Sequence, residues 1–234
     1  MCRFYSAIVM KNGDLLHNEN LMSHEDIIDL FGINDTQVNC DKFVRVEFTP
    51  DESSDYPDIE KYKLQVDEDS IPEWFEKHRE YVTLQLKDFV SKRIITSNHK
   101  ILTGGLYVVK DCIINRIKVA TIVYLQGTVQ KVLDGGTVQK VWAGGTVQEV
   151  LAGGTVQEVL DGGTVQKVWD GGTVQEVWAG GTVQKVLAGG TVQEVWAGGT
   201  VQKVWAGGTV QKVWAGGTVQ KVLAGGTVNG VKKA

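Results

Sequence analysis

The carboxy-terminal part of this chain is built from a single nine-residue unit, and that repeat restricts the fold more than any other feature. From Thr128 the unit Thr-Val-Gln-(Lys/Glu)-Val-(Leu/Trp)-(Ala/Asp)-Gly-Gly runs eleven times to Gly226. The glycine pair in every unit excludes a helix, because each glycine costs a helix roughly 1 kcal/mol. A short β-branched run between turn-forming glycines is typical of a β-strand. Units this small can bury an apolar face only by stacking, so the repeat predicts a parallel β-solenoid.

The copies differ at only three places, and those differences indicate which side chains face outward. Lys exchanges with Glu, Leu with Trp, and Ala with Asp. A close-packed interior would accept none of these exchanges. The two invariant valines of a unit stand three residues apart, so both can face inward only if the strand bends between them. We therefore predict a bent strand and a valine core that includes Val129, Val132, Val138, Val141, Val147 and Val150. The alternative is an unbent strand that buries Thr128, Gln130 and Val132 and leaves Val129 outside.

Either two or three units, 18 or 27 residues, would complete one turn of such a solenoid. The Lys/Glu column has slightly more opposite-charge neighbours at 27, but exposed ion pairs contribute too little to decide. Three sides would enclose an interior that two valines and one glycine per unit cannot fill at native density. The prediction is therefore about 18 residues per rung, which gives about five and a half rungs for the eleven units.

The remaining sequence predicts a capped solenoid. Residues 1–105 have the pattern of an α+β head domain, residues 106–126 form a junction or degenerate first rungs, and residues 127–234 form the repeat. In the head, strands are predicted over residues 4–10, 15–17, 43–48 and 62–66, and helices over residues 24–32 and 70–91. The predicted fold class is mainly β, a parallel β-solenoid capped by an N-terminal α+β domain. Lys232 and Lys233 would discourage edge-to-edge growth at the far end.

The repeat resembles the calcium-binding β-roll nonapeptide in its period, its paired glycines and its apolar eighth place. That family implies a calcium ladder, but this unit has Val at the fourth place and Lys or Glu at the sixth, where the ladder has its glycine and aspartate. We therefore predict no metal. The whole arrangement, a head opening Met-Cys-Arg-Phe-Tyr-Ser-Ala-Ile before a Val-x-x-Val tail, resembles uncharacterised proteins of bacteriophages and gut bacteria. The resemblance implies a bacterial or phage-infected cytoplasm and supplies no activity.

Few residues of the head suggest chemistry. Removal of Met1 would make Cys2 an N-terminal nucleophile of the amidotransferase kind, but Arg3 stands where that class has glycine. The acidic clusters at residues 51–55 and 67–69 lack EF-hand spacing and are expected in solvated loops. Solvated surface positions are likewise expected for the four histidines, which lack metal-ligand spacing: His17, His24, His78 and His99. We predict no catalytic residue and no cofactor.

Charge and composition exclude several kinds of partner. The formal net charge is −4, with no basic cluster for nucleic acid. No run approaches the ~20 apolar residues of a membrane helix, and no secretory signal is expected at the start. The three cysteines, Cys2, Cys40 and Cys112, form no disulfide pattern and fit a reducing compartment. The sequence therefore predicts a cytoplasmic protein.

Six tryptophans recur at one outward place of the unit and form the candidate interaction ridge. An apolar ridge of this size exceeds what soluble monomers usually leave bare. Self-association, with a dimer favoured, is the leading interpretation; a foreign protein or glycan partner and a core role for Trp are the alternatives. We predict a non-enzymatic structural or interaction protein, and the alternative is an enzyme or ligand-binding regulator with its site in the head. The ridge comprises Trp142, Trp169, Trp178, Trp196, Trp205 and Trp214.

Overall fold

The computed structural model describes residues 5–35 and 41–230. The chain divides into two compact units between Ile94 and Ile95. The second unit is the predicted parallel β-solenoid, with about 18 residues per rung and about eight turns. Lys232 and Lys233, like Cys2 and Cys40, lie outside the described residues.

The first unit is a small α+β fold built on an antiparallel sheet in the strand order β2-β1-β3-β4. Two single-turn 3₁₀ helices, at Ser53–Asp55 and Ile59–Lys61, precede its last strand. The strands are β1 (Ser6–Met10), β2 (Leu15–Leu16), β3 (Phe43–Pro50) and β4 (Tyr62–Val66), and the helices are α1 (His24–Phe31), α2 (Glu73–Glu76) and α3 (Arg79–Ser91).

The helices of this unit follow their sequence signals, with one interruption. The Ser23 hydroxyl accepts hydrogen bonds from the first backbone N–H groups of α1, and Gly32 ends the helix at a φ of 61°. The helix predicted over residues 70–91 is divided into α2 and α3, because the His78 N–H bonds back to the Phe75 carbonyl and the chain turns there. None of the described helices is long and apolar enough to cross a lipid bilayer.

The second unit begins with β5 (Ile94–Ile95), β6 (Leu102–Thr103), β7 (Leu106–Lys118) and β8 (Thr121–Val132). Short strands follow, one for each remaining unit of the repeat. They are β9 (Thr137–Val141), β10 (Thr146–Val150), β11 (Thr155–Val159), β12 (Thr164–Val168), β13 (Thr173–Val177), β14 (Thr182–Val186), β15 (Thr191–Val195), β16 (Thr200–Val204), β17 (Thr209–Val213), β18 (Thr218–Val222) and β19 (Thr227–Val228).

Successive strands of the repeat alternate between two parallel stacks. One stack runs from the second half of β8 through β10, β12, β14 and β16 to β18, and the other runs from the first half of β8 through β9 and the odd-numbered strands to β19. The pairing is in register: Thr146 lies beside Thr164, and Val150 beside Val168. Each strand therefore pairs with the strand two units away, which is the 18-residue rung.

The first rungs are shorter than the repeat. In β7 and β8, Leu106 pairs with Thr121 and Ile117 with Val132, so these turns contain 15 residues. Residues 102–103 already pair with β7, so the solenoid unit starts before the predicted boundary at residue 105. Glycine is absent from two of the early corners, where Asp111 and Val119 take φ values of 52° and 51°.

The core of the solenoid is the valine pair of each unit. All six valines predicted for the core are fully buried, whereas Thr128 and Gln130 are half-buried. The strand is therefore bent between its two valines, and the unbent alternative, which leaves Val129 outside, is wrong. Bending places the third and fourth side chains of the unit, Gln and Lys or Glu, on the outside together.

Each corner is a four-residue turn that requires both glycines. At one corner the Gly181 N–H bonds to the Trp178 carbonyl, and Gly180 has a φ of 74°. A positive φ at the third residue alone is the geometry of a type II turn. Gly181 is needed for a different reason, since a Cβ atom there would lie 2.2 Å from the Val159 carbonyl oxygen of the preceding rung.

Candidate functional site

The solenoid presents two outer faces that point in opposite directions, because both strand stacks pack on one valine core. Each face is defined by the fourth and sixth places of its units. On the Lys face these are Lys131, Glu149, Lys167, Lys185, Lys203 and Lys221, with Leu133, Leu151, Trp169, Leu187, Trp205 and Leu223. On the Glu face they are Lys140, Glu158, Glu176, Glu194 and Lys212, with Trp142, Leu160, Trp178, Trp196 and Trp214.

The six tryptophans lie on the outside but do not form one ridge. The 18-residue rung places neighbouring units on opposite sides, so Trp169 and Trp205 are on the Lys face and the other four are on the Glu face. Trp169, Trp178 and Trp205 are 39%, 37% and 42% exposed, which contradicts a place in the core. The single ridge predicted from the sequence is therefore wrong in its geometry. Its role in binding remains a prediction.

Aromatic rings on the Glu face stack directly on one another. The ring centroids of Trp178 and Trp196 are 5.0 Å apart and nearly parallel at 7°, and those of Trp196 and Trp214 are 4.7 Å apart at 12°. Tyr124 of the early rungs stacks on Trp142 in the same column, at 5.6 Å. In-register parallel pairing, with strands about 4.8 Å apart, forces this stacking. The result is a rigid, flat aromatic strip.

The Glu face also carries a column of like charges. Glu158, Glu176 and Glu194 occupy neighbouring strands in register. Partial burial raises the pKa of Glu176, a hydrogen bond from the Trp178 side chain opposes the rise, and the charges of Glu158 and Glu194 add to it. Lysine pairs with the carboxylates only at the ends of the column, where Lys140 lies 3.7 Å from Glu158.

The other end of that column is a compact cluster that the sequence did not reveal. Lys212 lies 3.5 Å from Glu194, and its ammonium group is 3.4 Å from the centroid of the Trp214 ring. The Trp214 indole N–H donates to Glu194 over 2.7 Å. The signal was present, because the fourth and sixth places are two residues apart in every unit. It became readable only when the bend and the rung length were known.

The Lys face has the opposite charge pattern. Glu149 lies between Lys131 and Lys167, at 3.5 Å and 3.4 Å. From Lys167 onward the column is all lysine through Lys185, Lys203 and Lys221. Within residues 5–35 and 41–230, the last three form no ion pair. Like charges directly opposite each other are unfavourable in a sheet, so both columns store repulsion.

Two indole N–H groups on the Glu face have no acceptor among the described residues. They belong to Trp142 and Trp196, and both nitrogen atoms are buried. An unsatisfied buried donor costs about 1–3 kcal/mol. Stacking holds these two rings in place in spite of that cost.

The head contains one cluster of metal-ligand type, which contradicts the solvated position expected for His24. His24 is only 3% exposed, and its Nε2 lies 3.0 Å from the Val46 carbonyl oxygen. Its Nδ1 is 3.4 Å from an Asp67 carboxylate oxygen, and Glu47 completes a set whose ligand atoms lie within 4.8 Å of one another. His24 begins α1, and the positive end of a helix disfavours a further cation. The arrangement is best explained as a link between helix and sheet.

The other candidate residues of the head and early rungs have structural partners. His17 Nδ1 lies 3.0 Å from the Tyr5 hydroxyl, and burial, with the Arg93 charge, lowers the pKa of His17. His78 and His99 are partly exposed. Cys112 is buried as a free thiol, and burial raises its pKa, which does not favour nucleophilic reactivity.

The acidic clusters are tied to basic partners rather than arranged around a cation. Lys63 pairs with Asp51, and Arg45 lies 3.0 Å from Glu68. The deepest cleft of the head, about 430 Å³, is lined by apolar groups that include Met10, Leu16 and Phe43. No catalytic arrangement is evident among the described residues of that cleft. No protein-family model and no curated protein matches this chain.

Proposed function

We propose that this chain is a non-enzymatic assembly protein whose solenoid faces mediate self-association. The observation that carries the proposal is the pair of flat outer faces, each with exposed indole rings in register along the stack. Aromatic groups on a rigid surface bind with little loss of conformational entropy. The valine core and the glycine corners serve to hold those rings in line.

The dimensions of a face support a role in association. A strand of five residues is about 17 Å wide and five stacked strands are about 24 Å long, which gives a flat area of roughly 400 Å² per face. Two partners would then bury roughly 800 Å² before side-chain relief is counted, near the lower limit of stable interfaces. An interface on this surface therefore needs almost the whole face, and its strength depends on the number of rungs.

We place this assembly in the cytoplasm of a bacterium or a phage-infected host. The sparse cysteines and the buried free thiol of Cys112 support a reducing compartment. The resemblance in the arrangement of head and repeat supports the bacterial or phage setting.

Light scattering of the full chain at two protein concentrations tests the proposal. The matched variant changes all six tryptophans of the two faces to leucine, which occupies the same place in the other five units. Wild type should gain mass with concentration, and the variant should gain less. A monomeric mass for wild type at both concentrations would refute self-association.

Deletion of residues 146–181 separates this function from an enzymatic or ligand-binding role of the head. Four units, or two rungs, are lost, and every later strand keeps its face. Assembly through the faces should weaken with the lost rungs. An unchanged assembly after the deletion would favour the head instead.

A further inference from the structure

We propose that the Lys face of one copy binds the Glu face of a second copy, so that the protein assembles as an open-ended stack. This inference rests on the proposed function and specifies its partner and geometry. The occupant of each face is another molecule of this chain.

The first argument is charge complementarity. Glu158, Glu176 and Glu194 form the centre of one face, and lysines form the centre of the other. Contact between two Glu faces, or between two Lys faces, would bring like charges together, which is strongly unfavourable at an interface. Only contact between unlike faces avoids this.

The second argument is that each face is unsatisfied alone. Glu176 has carboxylates on both sides in its column, and the only lysines paired with that column are at its two ends. Lys185 and Lys203 have lysine neighbours in turn. A lysine column from another copy would provide the cations that the centre of the Glu column lacks, and the Glu column would provide the anions for the lysines. Docking thus relieves repulsion on both surfaces at once.

The third argument is the spacing of the charges. Both columns repeat once per rung, at about 4.8 Å, because both belong to the same solenoid. A second copy therefore matches several carboxylates with several ammonium groups simultaneously. A partner with any other spacing would match only one or two.

Strand direction determines which groups meet. The chain runs in opposite directions along the two faces of a two-sided solenoid. Rotation of the second copy by half a turn about the sheet normal therefore aligns the fourth places of both faces and, beside them, the sixth places. Trp178 and Trp196 then meet the column of Trp169, Leu187 and Trp205. Each copy keeps one free face of each kind, so the contact does not close on itself.

A charge-swap experiment tests the geometry. The first variant carries E158K, E176K and E194K, which makes both faces basic; the second carries K167E, K185E and K203E, which makes both acidic. Both exchanges occur naturally between units at this place, and circular dichroism checks that the fold is retained. The full-length proteins are compared by sedimentation velocity at about 50 mM and about 500 mM NaCl, because salt screens such contacts.

Each variant alone should associate at least about 100-fold more weakly than wild type, because like charges then face each other. An equimolar mixture of the two should recover assemblies, and high salt should weaken those of wild type. Assembly of either variant alone at the wild-type level, or a mixture that remains monomeric while wild type assembles, would overturn the unlike-face contact and leave self-association standing. A monomeric wild type would overturn self-association itself.

Discussion

Replacement of Gly181 by alanine should destabilise the solenoid strongly, although it adds only one methyl group. The new Cβ atom would lie 2.2 Å from the Val159 carbonyl oxygen and 2.8 Å from its carbonyl carbon. Both are backbone atoms of the sheet, so no side-chain rotation relieves the overlap. A carbon atom approaches a carbonyl oxygen to about 3.3 Å, so the two rungs must separate locally by about 1 Å.

That separation sets the magnitude. It lengthens two hydrogen bonds beside the corner, from the Trp178 N–H to the Val159 oxygen at 2.9 Å and from the Thr182 N–H to the Gly163 oxygen at 3.1 Å. Buried groups left without partners cost about 1–3 kcal/mol each, so the free energy of unfolding should fall by about 2–5 kcal/mol.

The matched control is Gly226→Ala in the last complete unit. There the nearest atom, the Val204 oxygen, would be 2.9 Å from the new Cβ, and only the short strand β19 follows. The expected loss is under about 1 kcal/mol. Guanidinium denaturation of the full chain, followed by tryptophan fluorescence, compares the two. Equal denaturation midpoints for the two variants would refute the steric argument.

Three further predictions concern single side chains. Trp214→Phe should lower stability by about 1 kcal/mol more than Trp196→Phe, because only the Trp214 indole N–H has a carboxylate acceptor; thermal melts of the two variants would contradict this if they ranked in reverse. Glu176→Gln should raise the denaturation midpoint at pH 7 and leave it unchanged below pH about 4. The raised pKa means that the folded state holds its proton more tightly, so stability falls as the pH rises through the unfolded value toward the folded one; an equal gain at both pH values would exclude this cause. Val119→Gly should stabilise the first rungs by about 1 kcal/mol, since a β-branched residue is strained at a φ of 51°; a lower melting temperature would show that this corner is not strained.

The sequence was informative about the head where local signals decide the structure. Ser23 and Gly32 mark the ends of α1, because capping depends on neighbouring backbone groups alone. The break between α2 and α3 at His78, and the burial of His24 against β3 and β4, have no local signal. Both depend on contacts between elements distant in the sequence.

In the solenoid the sequence by itself determined the strands, the corners, the inward valines and the outward charges. Comparison of the copies was sufficient for this, since exchange of Lys with Glu is tolerated only at an exposed place. Only the tertiary structure decided which units share a face, and so divided the tryptophans and the charges into the Lys face and the Glu face. The physical reason is that all units are nearly identical, and the number that completes a rung depends on how valines from opposite strands fill the space between two sheets.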